Sequence, residues 1–159
     1  MIEIIQAETG EQIAEARKLL REYEAWIELQ LCFQNFDAEV ANLPGKYAAP
    51  KGGRLLLALT DGNPAGCIAL RKLEDGVCEM KRLFVRDEFR GRKIGIALIE
   101  KVIEEAQKIG YRKMRLDTYP PKMGKAVKLY EAYGFRTIPP YYENPYDDTL
   151  FMELDLTNN

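Results

Sequence analysis

Three consecutive strand-like segments that lead into one strong helix pattern constrain the fold of this chain more than any other feature. The segments are rich in apolar and β-branched residues, and turn residues separate them. They cover residues 54–60, 65–73 and 77–85. Residues 94–109 follow, with apolar positions on one helix face and Gly110 as the stop. An antiparallel meander that passes into an amphipathic helix therefore forms the centre of the predicted fold.

The rest of the chain adds elements around this centre. Thr9-Gly-Glu-Gln12 resembles a capping box, and the helix pattern behind it weakens after Leu31. The predicted buried stripe of this helix is Ile13, Ala16, Leu20, Tyr23 and Ile27. Residues 42–53 predict a long loop, which is a candidate binding segment. Further strands are predicted at residues 2–6, 112–118 and 150–156, and a short helix at residues 125–133.

Length and composition fit one domain over residues 1–159. The chain has 159 residues, of which 47% are hydrophobic, and a chain of this size buries enough surface to fold without disulfides or a structural metal. Together with the element order, this predicts an α+β fold. Cys32, Cys67 and Cys78 form no CxxC pair, which argues against a disulfide scaffold or a zinc ribbon. We therefore expect a cytoplasmic protein.

The absence of histidine excludes several catalytic classes. The chain cannot form a Ser-His-Asp or Cys-His nucleophile or an HExxH zinc site, so proton transfer must use carboxylate, tyrosine, lysine, cysteine or water. A net charge of −2 with interspersed signs argues against nucleic acid as a partner. The sequence shows neither a basic leader nor an uncharged run long enough to cross a membrane. We expect no nucleic acid, membrane or metal to take part.

The junction between the third strand of the meander and the helix has the residues of an anion site. Arg90, Arg92 and Lys93 supply positive charge, and Gly91 and Gly95 let the backbone approach a ligand closely. Unpaired N–H groups at a helix start favour a bound phosphate. The spacing matches neither a P-loop nor a GxGxxG turn, which argues against nucleotide hydrolysis and a Rossmann site. A solvated turn without a ligand is the alternative interpretation.

Three motifs follow one another along the chain from this region onward. They are Glu79-Met-Lys-Arg-Leu-Phe-Val85, Arg90-Gly-Arg-Lys-Ile-Gly95-Ile-Ala-Leu98 and Ala126-Val-Lys-Leu-Tyr130-Glu-Ala-Tyr-Gly-Phe135. In this order they closely resemble the GNAT superfamily of acetyl-CoA-dependent N-acetyltransferases, over about residues 77–137. The resemblance implies a fold of three layers, α/β/α, with a mixed, mostly antiparallel sheet that is flanked by helices and splayed at the cofactor site. It also implies acetyl-CoA as co-substrate, a primary amine of a small molecule or peptide as acceptor, and the homodimer that is frequent among similar folds.

The resemblance assigns the cofactor site to two segments. The diphosphate of coenzyme A would lie on Arg90, Gly91, Arg92, Lys93, Ile94, Gly95, Ile96 and Ala97. The aliphatic arm would lie beside Leu83, Phe84 and Val85 and bond to their backbone as an added strand does. Lys93 replaces the first glycine of the family motif, and we expect it to occupy the first helical turn without a positive φ. Met123 stands where many members have an asparagine, so one side-chain hydrogen bond to the cofactor is expected to be missing.

The resemblance also assigns three catalytic roles. Glu79 matches the strand glutamate that serves as general base, directly or through water, and its alternative is a place on a solvated strand face. Tyr130 matches the general acid for the departing thiolate, and its alternative is core packing. A backbone N–H near Leu83 would stabilise the oxyanion at an expected strand bulge. Asp117 ends a predicted strand and is not assigned a catalytic role; its interpretation is a turn or capping residue, with a place in the wall of the cleft as the alternative.

The acceptor site is assigned on weaker signals. Trp26, Tyr141 and Tyr142 are candidate substrate-binding residues, with packing against the core or the last strand as the alternative. Acidic residues around the tyrosines would favour a cationic amine; they are Asp37, Glu39, Glu143, Asp147 and Asp148. Cys67 and Cys78 are interpreted as small core residues rather than acyl carriers. A noncatalytic acyl-CoA-binding or regulatory module on the same fold is the alternative function.

Overall fold

The computed structural model describes residues 1–27 and 35–157, which form one seven-stranded sheet between helices. The strands are β1 (Ile2–Gln6), β2 (Arg54–Thr60), β3 (Asn63–Glu74), β4 (Val77–Val85), β5 (Lys113–Thr118), β6 (Arg136–Ile138) and β7 (Leu150–Asp155). The helices in these residues are α1 (Gly10–Ile27), α2 (Phe36–Ala41), α3 (Ile94–Ile109) and α4 (Pro120–Ala132). The predicted mixture of α and β elements is confirmed. The prediction for Leu31 and Cys32 falls outside the described residues.

The sheet is mostly antiparallel, as predicted. Its strand order is β1-β2-β3-β4-β5-β7-β6, and β4 and β5 form the one parallel pair of neighbours. Alternate residues of β2 enter different cores, with Leu56 packed in the cluster that includes α3 and Leu55 in the cluster that includes α1 and α2. Each face of the sheet is therefore covered, which gives the predicted three layers.

The helix boundaries follow local signals. Gln12 N donates to Thr9 Oγ1 at 3.1 Å while Thr9 N donates to Gln12 Oε1 at 3.0 Å, which confirms the capping box of α1. The predicted stripe of α1 is buried throughout. Gly110 adopts a φ of 107° at the end of α3, where the backbone of most other residues would be strained. None of the helices in the described residues is long and apolar enough to cross a membrane.

The sheet splits between β4 and β5. These strands pair only from Val77 to Glu79 on β4 and from Lys113 to Arg115 on β5. Beyond Arg115, β5 continues to pair with β7 up to Thr118, while β4 continues beside β3. The backbone edges of β4 and β5 therefore face each other across a gap, which is the predicted splay.

A bulge on β4 borders this gap. Cys67 of β3 is opposite Phe84, and Ala69 is opposite Lys81, so one residue of β3 faces two residues of β4. The two are Arg82 and Leu83, and Arg82 has a φ of 63°. The bulge that the resemblance implied near Leu83 is thus present.

Three elements differ from the predictions. Helix α2 is a short helix with Phe36 and Val40 buried, and its one and a half turns are too few to produce a helix period in the sequence. Helix α4 begins at Pro120 instead of residue 125, because proline is tolerated in the first helical turn, and a kink at Met123 separates the early turn from the predicted part. Strand β6 was not predicted, since it has three mostly exposed residues.

Candidate active site

A cavity of about 1020 Å³ occupies the gap between β4 and β5 and reaches the starts of α3 and α4. Residues 80–85 of β4 form one wall, and residues 122–126 of α4 contribute to the opposite wall. Arg90, Gly91 and residues 93–96 line it at the entrance to α3. The cavity therefore brings together most of the residues that the resemblance assigned to the cofactor, and Leu83, Phe84 and Val85 all line it.

Uncommitted backbone amides converge at the entrance to α3. Among the described residues, no carbonyl accepts a hydrogen bond from the backbone nitrogens of residues 91–96, and the first helical bond runs from Ala97 N to Lys93 O at 3.1 Å. Gly91 has a φ of 83°, which turns the chain into the helix. Donors in this arrangement, at the positive end of a 16-residue helix, form a cradle for an anion. We refer to residues 91–96 as the amide cradle.

The conformation predicted for Lys93 is wrong. Lys93 is the residue that precedes α3 and has a φ of 63° and a ψ of 22°, in the left-handed region. Residues 90–93 form turns and bends before α3, and the left-handed backbone that Lys93 adopts there is one that glycine adopts without strain. The lysine therefore carries a backbone cost of about 1–2 kcal/mol in a position that suits glycine. In exchange it places a cation on the cavity wall beside the amide cradle.

Trp26 lies in the cavity wall, and two cationic side chains lie over its indole ring. The Arg90 guanidinium is 5.2 Å from the ring centroid and the Lys122 ammonium is 6.0 Å from it. Arg90 also donates from Nε to the carbonyl of Val85 at 3.1 Å. Trp26 thus orients part of the cationic entrance of the cavity, and it lies with the predicted cofactor residues rather than in the second cavity described below. Met123 also lines the cavity, and its sulfur accepts a hydrogen bond from Thr118 Oγ1 at 3.6 Å.

Tyr130 lines the cavity with a buried side chain. Its ring packs against Phe135, with centroids 5.6 Å apart. No described residue bonds to its hydroxyl, and the oxygen is not among the fully buried atoms that lack a partner. Burial raises the pKa of Tyr130 above its usual value, which keeps the phenol protonated. The structure thus unites both sequence interpretations, packing and access to the site.

Glu79 lies in the last residue pair between β4 and β5, just before the gap begins. Its Oε1 accepts a hydrogen bond from Arg71 Nε at 2.7 Å, and its Oε2 accepts one from the Tyr141 hydroxyl at 2.7 Å. Lys81 Nζ is 3.8 Å from Oε1. Burial alone raises the pKa of Glu79, but Lys81, Arg71 and Tyr141 outweigh it and hold the pKa below its usual range. The carboxylate is 1% exposed, so the alternative of a solvated strand face is wrong.

Glu79 also belongs to a row of alternating charges across the sheet. Neighbouring strands place oppositely charged residues in register, and Arg115 Nε donates to Glu153 Oε2 at 2.9 Å. The row consists of Arg71, Glu79, Arg115, Glu153 and Arg136. This row fixes the orientation of Glu79 at the point where β4 and β5 cease to pair.

A second cavity of about 460 Å³ lies on the other side of Lys81. Lys81 lines both cavities, while Glu79 and Tyr142 line the second one. The turn at residues 44–47 supplies part of its wall, which places part of the predicted binding loop at this site. The buried Lys81 side chain therefore forms part of the wall of both cavities.

The acidic residues predicted around the tyrosines lie in different surroundings. Asp37 pairs with Arg21 at 2.8 Å, and Glu39 accepts two hydrogen bonds of 2.9 Å from Arg82. Glu39 and Tyr142 both line the second cavity, whereas Tyr141 donates to Glu79. The other predicted acidic residues line neither described cavity; they are Glu143, Asp147 and Asp148. Arginine partners thus neutralise Asp37 and Glu39.

Asp117 lies in the cavity wall, which was the alternative to the turn or capping role favoured by the sequence. It lines the large cavity, and the Tyr142 hydroxyl donates a hydrogen bond to its Oδ2. Its position near the end of β5 suggested a capping role, because the sequence does not show that β4 has left β5 by that point. One signal was available: alternation along β5 puts Asp117 on the same face as Arg115, opposite Met114 and Leu116 of the core.

The described cysteines do not act in this site. Cys67 and Cys78 are fully buried, and burial raises the thiol pKa of each to about 12. A thiol that stays protonated is a poor acyl carrier. The interpretation of both residues as small core side chains is confirmed.

A sheet split at its parallel pair, an amide cradle at the following helix and a tyrosine hydroxyl across the gap define a coenzyme A-dependent acyltransferase. The family model described as "Acetyltransferase (GNAT) family" matches residues 13–135. The chain belongs to the GNAT acetyltransferase family and is an N-acetyltransferase by this relationship.

Relatives and solved structures agree with this assignment. An uncharacterised N-acetyltransferase of Schizosaccharomyces pombe is 38% identical over 157 residues, which cover 98% of this chain and 96% of that protein. Human N-acetylaspartate synthetase is 36% identical over 122 residues, which cover 76% of this chain and 37% of that protein. A Salmonella typhimurium structure determined with acetyl-CoA as its cofactor has a TM-score of 0.73 at 16% identity, and the match covers 99% of this chain and 95% of that chain. That structure shows the shared fold.

Proposed function

We propose that this protein transfers the acetyl group of acetyl-CoA directly to a primary amine of a small molecule or peptide. The observation that carries the proposal is the amide cradle at the end of the gap, where residues 91–96 offer backbone donors that no described carbonyl accepts. A diphosphate there would direct the aliphatic arm along the unpaired edge of β4 toward Tyr130. The family membership and the acetyl-CoA bound to the Salmonella protein support acetyl-CoA as the donor.

Three groups of the chain serve the transfer. The bulge at Leu83 supplies a backbone N–H to the oxyanion that forms when the amine attacks the thioester carbonyl. Glu79 receives the first proton of the ammonium ion through water and passes it to solvent, since protein groups already engage both of its oxygens. Tyr130 donates its proton to the thiolate as the carbon–sulfur bond breaks, and the second proton, which the nitrogen loses after its attack, restores it through solvent. The products are the acetylated amine, the free thiol and one proton.

Tyr130→Phe is expected to lower kcat by about 10²-fold, the lower end of the range for general acids and bases. Only the hydroxyl group is removed, and the packing of the ring on Phe135 is retained. Steady-state release of thiol with saturating acetyl-CoA measures the effect. A Tyr133→Phe variant is the matched control, since Tyr133 is on the same helix end and lines neither described cavity. Equal rates for both variants would remove Tyr130 from the mechanism.

Gly95→Val is expected to weaken coenzyme A binding by about tenfold, or 1.4 kcal/mol, without unfolding the protein. An added Cβ at Gly95 meets only Val85 Cγ2, at 3.9 Å, so the fold has room for it. The added side chain instead occupies the space through which the diphosphate approaches the amide cradle. Isothermal titration with coenzyme A measures the affinity, and thermal melting measures the fold. Unchanged affinity would contradict the placement of the diphosphate.

The second cavity favours an acceptor that also carries a carboxylate. Lys46, Arg71 and Lys81 line it, and its two carboxylates, Glu39 and Glu79, are both paired with arginine. The Nη atoms of Arg71 bond to no described residue. A relative named N-acetylaspartate synthetase makes L-aspartate the first acceptor to test.

The function is tested by thiol release with acetyl-CoA and a panel of amines. The panel contains L-aspartate, a lysine-containing peptide, a diamine and phenethylamine. Turnover with at least one of them, together with mass-spectrometric detection of the acetylated amine, supports the proposal. Tight binding of acetyl-CoA without turnover on any amine favours the noncatalytic acyl-CoA-binding module instead.

A further inference from the structure

We propose that Asp117 binds the ammonium group of the acceptor and holds the amine at the split between β4 and β5. This role rests on the proposed acetyl transfer, to which it adds a binding residue for the second substrate. It also specifies that the acceptor enters as a cation and is deprotonated only after it is bound.

The charge distribution of the large cavity singles out Asp117. Six of the lining side chains are basic, and among the described lining residues Asp117 is the one carboxylate. The basic side chains are Lys81, Arg82, Arg90, Lys93, Lys122 and Lys125. Such a surface suits the phosphates of coenzyme A but repels an ammonium ion. An amine that must reach the thioester in its common, protonated form needs one negative group at the point of reaction, and Asp117 supplies it.

The carboxylate of Asp117 is held in place and keeps one oxygen available. The Tyr142 hydroxyl donates to Oδ2, and the Tyr142 ring packs on Phe151 with centroids 5.2 Å apart. Phe151 is the register partner of Asp117 on β7, so packing and hydrogen bond fix the same group. No described residue donates to Oδ1, which is not sealed from the cavity. Oδ1 can therefore accept a hydrogen bond from an ammonium ion.

Tyr142 connects this carboxylate with the second cavity. Tyr142 lines the second cavity, while Asp117 lines the large one. The hydrogen bond between them therefore joins one residue from the wall of each cavity.

Glu79 cannot take this binding role. Arg71 and Tyr141 engage its two oxygens, and its side chain is 1% exposed. Glu79 lines the second cavity rather than the large one. The two carboxylates therefore differ in function. Asp117 contacts the ammonium ion, and Glu79 accepts a proton from that ion through water.

Asp117→Asn is expected to raise the KM for the accepted amine by about ten- to a hundredfold, the range for loss of one charge-assisted hydrogen bond. The kcat at saturating amine and the KM for acetyl-CoA should remain within about threefold of the wild type, because Asp117 is not assigned to chemistry or to the phosphates. Asp75→Asn is the matched control, since Asp75 is fully exposed and far from both cavities along β3 and β4. Tyr142→Phe should raise the same KM by a smaller factor.

A hydroxyl analogue separates charge recognition from a loss of shape. L-malate is the analogue of L-aspartate, and phenethyl alcohol is the analogue of phenethylamine. Inhibition by the analogue should be the same for wild type and Asp117→Asn, because it carries no ammonium ion. If Asp117→Asn does not fold, Tyr142→Phe provides the same comparison through the carboxylate that it positions.

Three results would overturn the inference. A fall in kcat with unchanged KM would make Asp117 part of the chemistry instead of the binding site. Equal weakening of the amine and its hydroxyl analogue would show that Asp117 only shapes the cavity. If the wild-type protein acetylates no amine of the panel, the proposed function fails, and this inference fails with it; the other two results leave acetyl transfer intact.

Discussion

Glu79→Gln is expected to lower kcat/KM by about 10²- to 10⁴-fold near neutral pH, the range for removal of a general base. An aliphatic ammonium has a pKa of about 10.4, so only about one molecule in 10³ is nucleophilic at pH 7. As the pH rises, the amine loses its proton to solvent and needs Glu79 less. The deficit of the variant should therefore shrink steadily toward pH 10. Profiles of kcat/KM against pH for both proteins measure it.

The low pKa of Glu79 determines the shape of these profiles. Burial opposes ionisation, yet Lys81, Arg71 and Tyr141 keep the carboxylate charged. The rising limb of the wild-type profile should therefore report the acceptor and not Glu79. Glu153→Gln is the matched control, because it removes the neighbouring carboxylate of the same charge row, breaks its ion pair of 2.9 Å with Arg115 and changes neither described cavity. A loss that is constant with pH, or one of equal size in Glu153→Gln, would assign Glu79 a structural role alone.

Glu39→Gln is expected to destabilise the protein by about 3–5 kcal/mol, the usual cost of leaving a buried charge without its partner. The Arg82 side chain is 3% exposed and donates two hydrogen bonds of 2.9 Å to Glu39. Its guanidinium also lies 4.9 Å from the centroid of Phe36. A chain of this size loses about 2–4 °C of melting temperature per kcal/mol, so the melting temperature should fall by roughly 6–20 °C.

The same pair holds the bulge to which we assign the oxyanion. Arg82 has a φ of 63° within β4, and Glu39 on α2 is its bidentate partner. Loss of the pair should release the Leu83 N–H from its position and lower kcat in the protein that remains folded. Asp37→Asn on the same helix is the control, because the Asp37–Arg21 pair is exposed and should contribute less than about 1 kcal/mol. Equal melting temperatures for both variants would contradict this account of the bulge.

Long, periodic elements could be predicted from the sequence, because their signals are local. The stripe of α1, the meander of β2 to β4 and the stop at Gly110 depend on residues within one element. Helix α2 could not be predicted, because it is stabilised by contacts of Phe36 and Val40 with Arg82 and α1, which are distant in sequence. The prolines that begin α4 are compatible both with a turn that ends regular structure and with the first turn of a helix. Tertiary packing decides between the two.

The site follows the same division. The amide cradle and Tyr130 lie in contiguous motifs, so the sequence located both. The positive φ of Lys93 depends on how the backbone connects β4 to α3. Because lysine rarely adopts this conformation, the residue type gives no indication of it. Asp117 and Tyr142 are 25 residues apart in sequence and meet only because β5 pairs with β7 beside the split. Local sequence patterns do not predict side-chain contacts that depend on the order of the strands in the sheet.

The most direct test of the account is a crystal structure of the protein with coenzyme A. We predict that the diphosphate oxygens lie within hydrogen-bonding distance, about 2.7–3.2 Å, of backbone nitrogens in residues 91–96, with the thiol in the gap near Tyr130. The cradle amides should have no protein acceptors in that complex, as here. Electron density for the diphosphate at any other place, with the cradle unoccupied, would contradict the central claim.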